Sequence, residues 1–165
     1  ASQREALATM KTGREIHAEY ALSPELDFLQ RLWQLNHALE KLSSRMEKRL
    51  GVTAQQRLLI RCVGKYPGIT AGQLAALLHV DPGTVSAALN RLGDKGLLER
   101  RRDPKDKRRA FLGLTAKGRT LDCPSHGTVE DAVKRLLDSE PKKDVATAMG
   151  VVEKLTELLG GELSE

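Results

Sequence analysis

The chain has 165 residues, of which 40% are apolar and 30% charged, a balance that excludes a disordered chain. No run approaches the ~18 uninterrupted apolar residues of a membrane helix, and the N-terminal segment has no signal-peptide core. The formal charge is +5, and the whole excess lies between Thr70 and Gly118, where 10 Lys/Arg face 5 Asp/Glu, against 17 and 17 elsewhere. A localised basic segment is the footprint of a polyanion partner, although a solvated charge run has the same composition.

In chain order, residues 1–22 read as a polar arm with room for one short helix. Ser23-Pro24 then supplies an N-cap hydroxyl followed by an N1 proline. Leu26, Leu29, Trp33, Leu39, Leu42 and Met46 recur at helical spacing until Gly51. That predicted helix far exceeds the ~11–12 residue mean, and so long an apolar stripe in so small a chain needs a partner. Thr53-Ala54-Gln55-Gln56 is a capping box, followed by Leu58, Leu59, Cys62 and Val63 on one side. A second box, Thr70-Ala71-Gly72-Gln73, opens a short helix, and Asp81-Pro82 opens another that ends at Gly96. Leu97 to Arg102 and Ala110 to Leu114 read as short strands around a charged turn with almost nothing to bury. Thr115 caps a further helical stretch, which Pro124 and Gly127 interrupt before Val129, and Pro141 begins the last helix.

Short helix, turn, second helix and charged hairpin is the order of a winged helix-turn-helix. In that arrangement the first helix braces the second, whose N-terminal turns fit the major groove of B-DNA. The expected inward positions are Leu74, Leu78, Val80, Val85, Leu89 and Leu92, with Ala75 small where the two helices approach. The outward positions are Gly83, Thr84, Ser86, Ala87, Asn90 and Arg91. Aromatics make up only 3%, which argues against a surface that stacks single-stranded bases. Thr84, Ser86, Ala87, Asn90 and Arg91 are the candidates for groove contact. Thr70 and Gln73, at the start of the bracing helix, are placed for phosphates.

The segment LLERRRDPKDKRRAFLGLTAKG, from Leu97 to Gly118, resembles the wing signature of the MarR family of bacterial transcriptional regulators. That signature is an arginine-rich strand, Asp-Pro-x-Asp-Arg-Arg, a short apolar strand and Leu-Thr-x-x-Gly. Lys107 replaces the first paired arginine and Arg108 matches the second. The likeness continues upstream through DPGTVSAALNRLGDKGLL and covers roughly residues 25–160. It implies a mainly α fold with a small β-hairpin, in which a winged helix-turn-helix lobe (52–118) is joined to a helical dimerisation hub (23–51 and 119–165). It implies a homodimer on a pseudo-palindromic operator in double-stranded DNA, a repressor's role and release by a small-molecule effector. On this reading Leu26, Leu29, Trp33, Val152, Leu155 and Leu159 carry the dimer contacts. Trp33 and His37, one helical turn apart, could equally line a ligand pocket. The resemblance also assigns a pairing of Asp106 with Arg108, which aims the arginine into a minor groove, together with Lys107 on the DNA-binding side.

Other chemistries find less support in the residues. Cys62 and Cys123 have no metal-ligand spacing, and Cys62 falls on an apolar helix face, the place of a structural thiol. Cys123, beside Pro124 and near His126, has the setting of an exposed thiol. His17, His37, His79 and His126 lie too far apart for a zinc motif, so neither a metal nor a cofactor is expected. There is no nucleophile elbow, P-loop or dinucleotide fingerprint, and no enzyme is expected. The alternative from another class is a winged helix that binds a protein, or a regulator controlled by a protein antagonist. The expected compartment is the cytoplasm.

Overall fold

A computed structural model describes residues 20–106 and 109–161 of the chain. Contacts divide it into two units, residues 1–40 and 41–165. Helix α1 (Pro24–Leu50) is followed by α2 (Ala54–Lys65), α3 (Ala71–Leu78) and α4 (Pro82–Asp94). Strands β1 (Leu98–Arg102) and β2 (Ala110–Leu114) come next, then the single turn α5 (Ala116–Arg119), α6 (Val129–Ser139) and α7 (Lys142–Gly161). No helix among the described residues is long and apolar enough to cross a membrane.

The helix starts follow the capping chemistry of the sequence. Thr53 and Thr70 each accept from the amide three residues on, while Gln56 and Gln73 reach back to the cap amides. Asp81 caps α4 by accepting from the Thr84 amide at 2.9 Å, ahead of the N1 proline. Between α3 and α4 the chain reverses through His79, the only described non-glycine residue with positive φ (50°).

β1 and β2 pair antiparallel, with Leu98 opposite Leu114 and Arg102 opposite Ala110. The segment before α3 adds a third rung. Gly68 donates to the Leu112 carbonyl at 3.0 Å, and the Leu112 amide donates to Ile69 at 3.0 Å. Helices α2, α3 and α4 close over the inner face of the hairpin, and Ile60, Leu74, Leu89, Leu92 and Leu112 are buried between them. Ala75 is buried where α3 meets α4.

Two expected inward positions, Val80 and Leu58, are exposed, and Leu78 packs inward but is only partly covered. Val80 is 41% exposed, because its amide donates to Ala75 in the turn and its side chain faces out. Leu78 is half-buried at the edge of the core. Leu58 is exposed, rotated about 100° from Leu59, which takes the buried place on α2.

The end of the wing is fixed by close approach. Thr115 accepts from the Gly118 amide at 3.0 Å and donates to the Gly96 carbonyl at 2.7 Å, so one hydroxyl caps α5 and ties it to the end of α4. A Cβ at Gly118 would lie 1.9 Å from the Leu97 carbonyl oxygen. The Leu-Thr-x-x-Gly pattern is therefore a packing requirement. Gly118→Ala should cost about 1–3 kcal/mol in urea unfolding, because backbone rather than a side chain must yield. Gly93→Ala, in open space inside α4, should instead add about 0.5–1 kcal/mol. A Gly118→Ala protein as stable as the parent would contradict this account of the motif.

Candidate nucleic-acid interface

The solvent face of α4 presents Gly83, Thr84, Ser86, Ala87, Asn90 and Arg91, all exposed, while Val85, Leu89 and Leu92 point into the core. The expected reading residues thus share one accessible surface. Thr84 is partly engaged at its own cap, since its hydroxyl lies 3.4 Å from the Asp81 carboxylate. Asn90 is tied to the wing: Arg100 Nη2 donates to Asn90 Oδ1 at 2.9 Å.

The pleat sorts the arginines of β1. Leu98, Arg100 and Arg102 alternate onto the side that packs against α4, while Glu99 and Arg101 take the other side and pair at 2.8 Å. Of the two acids in the turn of the wing, Asp103 has a structural role. Asp103 Oδ1 accepts from the Lys105 amide at 2.8 Å, and the Asp103 amide donates to Arg109, which shapes the turn. Lys107 and Arg108 lie outside the described residues, and so does the expected Asp106–Arg108 pairing.

Thr70 and Gln73 are brought together at the start of α3, already engaged with each other. Gln73 Oε1 accepts from the Thr70 amide at 3.0 Å, and Thr70 Oγ1 accepts from the Gln73 amide at 3.2 Å. The Thr70 hydroxyl hydrogen and the Gln73 amide hydrogens stay uncommitted in these bonds, the right polarity for a phosphate.

Sequence reasoning missed the cations that hold the segment after the wing. Arg57 is 1% exposed. Its Nε donates to Glu130 at 2.6 Å, Nη1 to the Leu121 carbonyl at 2.9 Å, and Nη2 to the Cys123 carbonyl. Arg61 pairs with Asp122 at 2.7 Å, and Arg49 donates to the His126 and Gly127 carbonyls at 2.7 and 3.1 Å. The available signal was an arginine at helical spacing from Ile60 on the buried side of α2.

The remaining candidates are quickly placed. Burial pushes the Cys62 thiol up, partly offset by Lys65, and so favours the protonated thiol over the reactive thiolate. Cys123 is exposed, and its thiol donates to the Thr120 carbonyl at 3.5 Å. The Gly127 amide donates to Asp131 and holds that carboxyl below its ordinary range. No group of three His, Cys, Asp or Glu among the described residues could hold a metal. Leu26, Leu29, Trp33, Val152 and Leu159 are exposed, Leu155 is half-buried, and Trp33 and His37 both face outward from α1.

A helix-turn-helix flanked by a basic antiparallel hairpin defines a winged-helix protein, the class that presents one helix to duplex DNA. Residues 50–109 match the model of the MarR family. The chain is 36% identical over 98 residues to the HTH-type transcriptional regulator BilQ of Clostridium symbiosum, spanning 58% of this chain and 68% of that protein. It is 30% identical to the multiple antibiotic resistance protein MarR of Salmonella typhimurium, over 75% of this chain and 87% of that one. Its fold is similar to that of a mutant MarR from E. coli crystallised with operator DNA. There the TM-score is 0.61 at 29% identity, covering 82% of this chain and 99% of that chain. The chain belongs to the MarR family of winged-helix transcriptional regulators, which are not enzymes.

The two sets of polar groups should respond differently to substitution. Thr70→Ala should remove a cap worth about 1 kcal/mol and, if Thr70 meets phosphate, should weaken every DNA sequence by the same factor. Asn90→Ala should leave stability within about 0.5 kcal/mol and change which bases are preferred. Equal effects of both changes on a panel of operator variants would refute this division.

Proposed function

We propose that the protein is a sequence-specific regulator that reads double-stranded DNA with α4, clamps it with the β1–β2 wing, and represses transcription. The observation that carries this reading is the bond that joins the solvent face of α4 to the wing, Arg100 Nη2 to Asn90 Oδ1 at 2.9 Å, with Arg91 and Arg102 exposed on the same two elements. Thr84, Ser86, Ala87, Asn90 and Arg91 face base edges, Thr70 and Gln73 face phosphates, and Lys107 and Arg108 extend the contact from the wing.

The acting form is a homodimer on a pseudo-palindromic operator. Exposed apolar residues support this at both ends of the chain: Leu26, Leu29 and Trp33 on α1, and Val152 and Leu159 on α7. A second copy that covers these faces, with Leu155, is the economical way to bury them. In this scheme residues 52–118 read DNA, 23–51 and 119–165 form the dimerisation hub, and 1–22 are an arm. The protein works in the cytoplasm, where its DNA is. A small-molecule effector releases it. Trp33 and His37 are one candidate lining for the effector. An open groove of about 500 Å³ against the outer hairpin face, lined by Val63, Arg101, Phe111 and Arg119 among others, is in the size range of ligand sites.

The test is fluorescence anisotropy on the promoter DNA beside the gene, titrated with salt on a confirmed dimer. Arg108→Ala should weaken binding and flatten the log-affinity against log-salt slope by roughly one unit. Asp106→Ala should also weaken binding, because an aimed arginine needs the carboxylate that orients it. Tighter binding by Asp106→Ala would contradict the aimed wing. A dimer that bound no promoter DNA better than random duplex would contradict the function and favour a protein partner.

A further inference from the structure

We propose that Arg100, through its bond to Asn90, makes Asn90 select a keto base, guanine or thymine, over adenine or cytosine. This rests on the DNA-reading assignment above and specifies one part of it. Arg100 is opposite Leu112 in the hairpin, and Leu98, Leu112 and Leu114 are all buried, so the pleat places Arg100 on the core-facing side of β1. It lies two residues beyond the edge of the core, where its side chain emerges and reaches the solvent face of α4. There Nη2 donates to Asn90 Oδ1 at 2.9 Å.

The chemistry of the two groups decides the rest. A guanidinium has donors and no acceptor, so the amide oxygen of Asn90 must face Arg100 and the amide nitrogen must face away. An unconstrained asparagine in the major groove pairs with adenine through both atoms. Nδ2 donates to N7 and Oδ1 accepts from the N6 amino group. Here Oδ1 already accepts from a cation. An amino group of adenine or cytosine brought to its second lone pair lies beside the positive charge of Arg100 and meets a weakened acceptor. What Asn90 still offers is a donor: guanine (O6, N7) and thymine (O4) accept it with no amino group near Oδ1, whereas adenine accepts it at N7 only with its N6 amino group set beside the Arg100 charge. Arg100 is therefore a positioning residue for base recognition, with Asn90 as the contacting group.

The measurement is selection from a randomised duplex library, with each variant confirmed folded and dimeric. The wild-type protein should enrich G or T at one position of the motif, and Asn90→Ala should lose that preference there alone. Arg100→Met removes the guanidinium and keeps the stem. It should shift the same position towards adenine by about fivefold or more, since a bidentate pair becomes available. Arg100→Lys, whose ammonium also donates to Oδ1, should retain the keto preference. In the Asn90→Ala background, Arg100→Met should leave every base preference unchanged. If Arg100→Met weakens all sequences equally and moves no preference, Arg100 is a phosphate contact and the proposal fails. It fails also if the wild-type position set by Asn90 prefers adenine. A wild-type protein that enriches no sequence overturns the DNA-reading assignment itself, and this inference with it.

Discussion

The guanidinium of Arg57 is nearly sealed from water, and a charge so placed is tolerable only when its donors are satisfied. All three of its nitrogens donate: to Glu130 at the first turn of α6, to the Leu121 carbonyl, and to the Cys123 carbonyl. The side chain thus ties α2 of the winged-helix core to the segment that leaves the wing and to the helix that follows. Neighbouring contacts reinforce the same path. Arg61 holds Asp122, Arg49 holds the His126 and Gly127 carbonyls, and the buried Thr128 hydroxyl donates to Ser125 while capping α6. Even the glycine of α2 takes part, since a Cβ at Gly64 would fall 1.9 Å from the Asp122 carboxylate. A segment with proline and little apolar content therefore has a defined course without a core of its own.

A second polar cluster performs the matching task at the other end of α2. The buried Gln56 oxygen accepts from the Thr53 amide and from Lys95, which also donates to the Gly51 carbonyl. Lys95 caps α4, so the end of that helix is anchored to the junction of α1 and α2. Stability therefore resides in the inward leucines and in these anchored termini. The outward face of α4 contributes little to it. Residues on that face are exposed, with side-chain bonds from Thr84 to Asp81 and from Arg100 to Asn90.

Much of this was legible in the sequence. Capping boxes at Thr53 and Thr70, the Asp81-Pro82 start and the Gly96 stop mark boundaries because backbone hydrogen bonding there is local. The wing strands follow from alternation, and the exposed face of α4 from the spacing of Val85, Leu89 and Leu92. What was not legible depends on residues far apart in the chain. Arg57 meets partners more than sixty positions away, and Arg100 meets Asn90 only after β1 has folded back along α4. Val80 was misjudged because a left-handed residue before it breaks the helical period that assigned it inward.

The most direct test of the Arg57 anchor is amide hydrogen exchange combined with urea unfolding on Arg57→Met, which keeps the stem and removes the charge. Loss of these charge-assisted bonds leaves two carbonyls and Glu130 without their partner, and should cost about 2–3 kcal/mol. Amides from Leu121 to Asp131 should lose protection beyond that global change, while those of α3 and α4 follow the global change alone. A variant with an unchanged urea midpoint and undiminished protection from Leu121 to Asp131 would contradict the account.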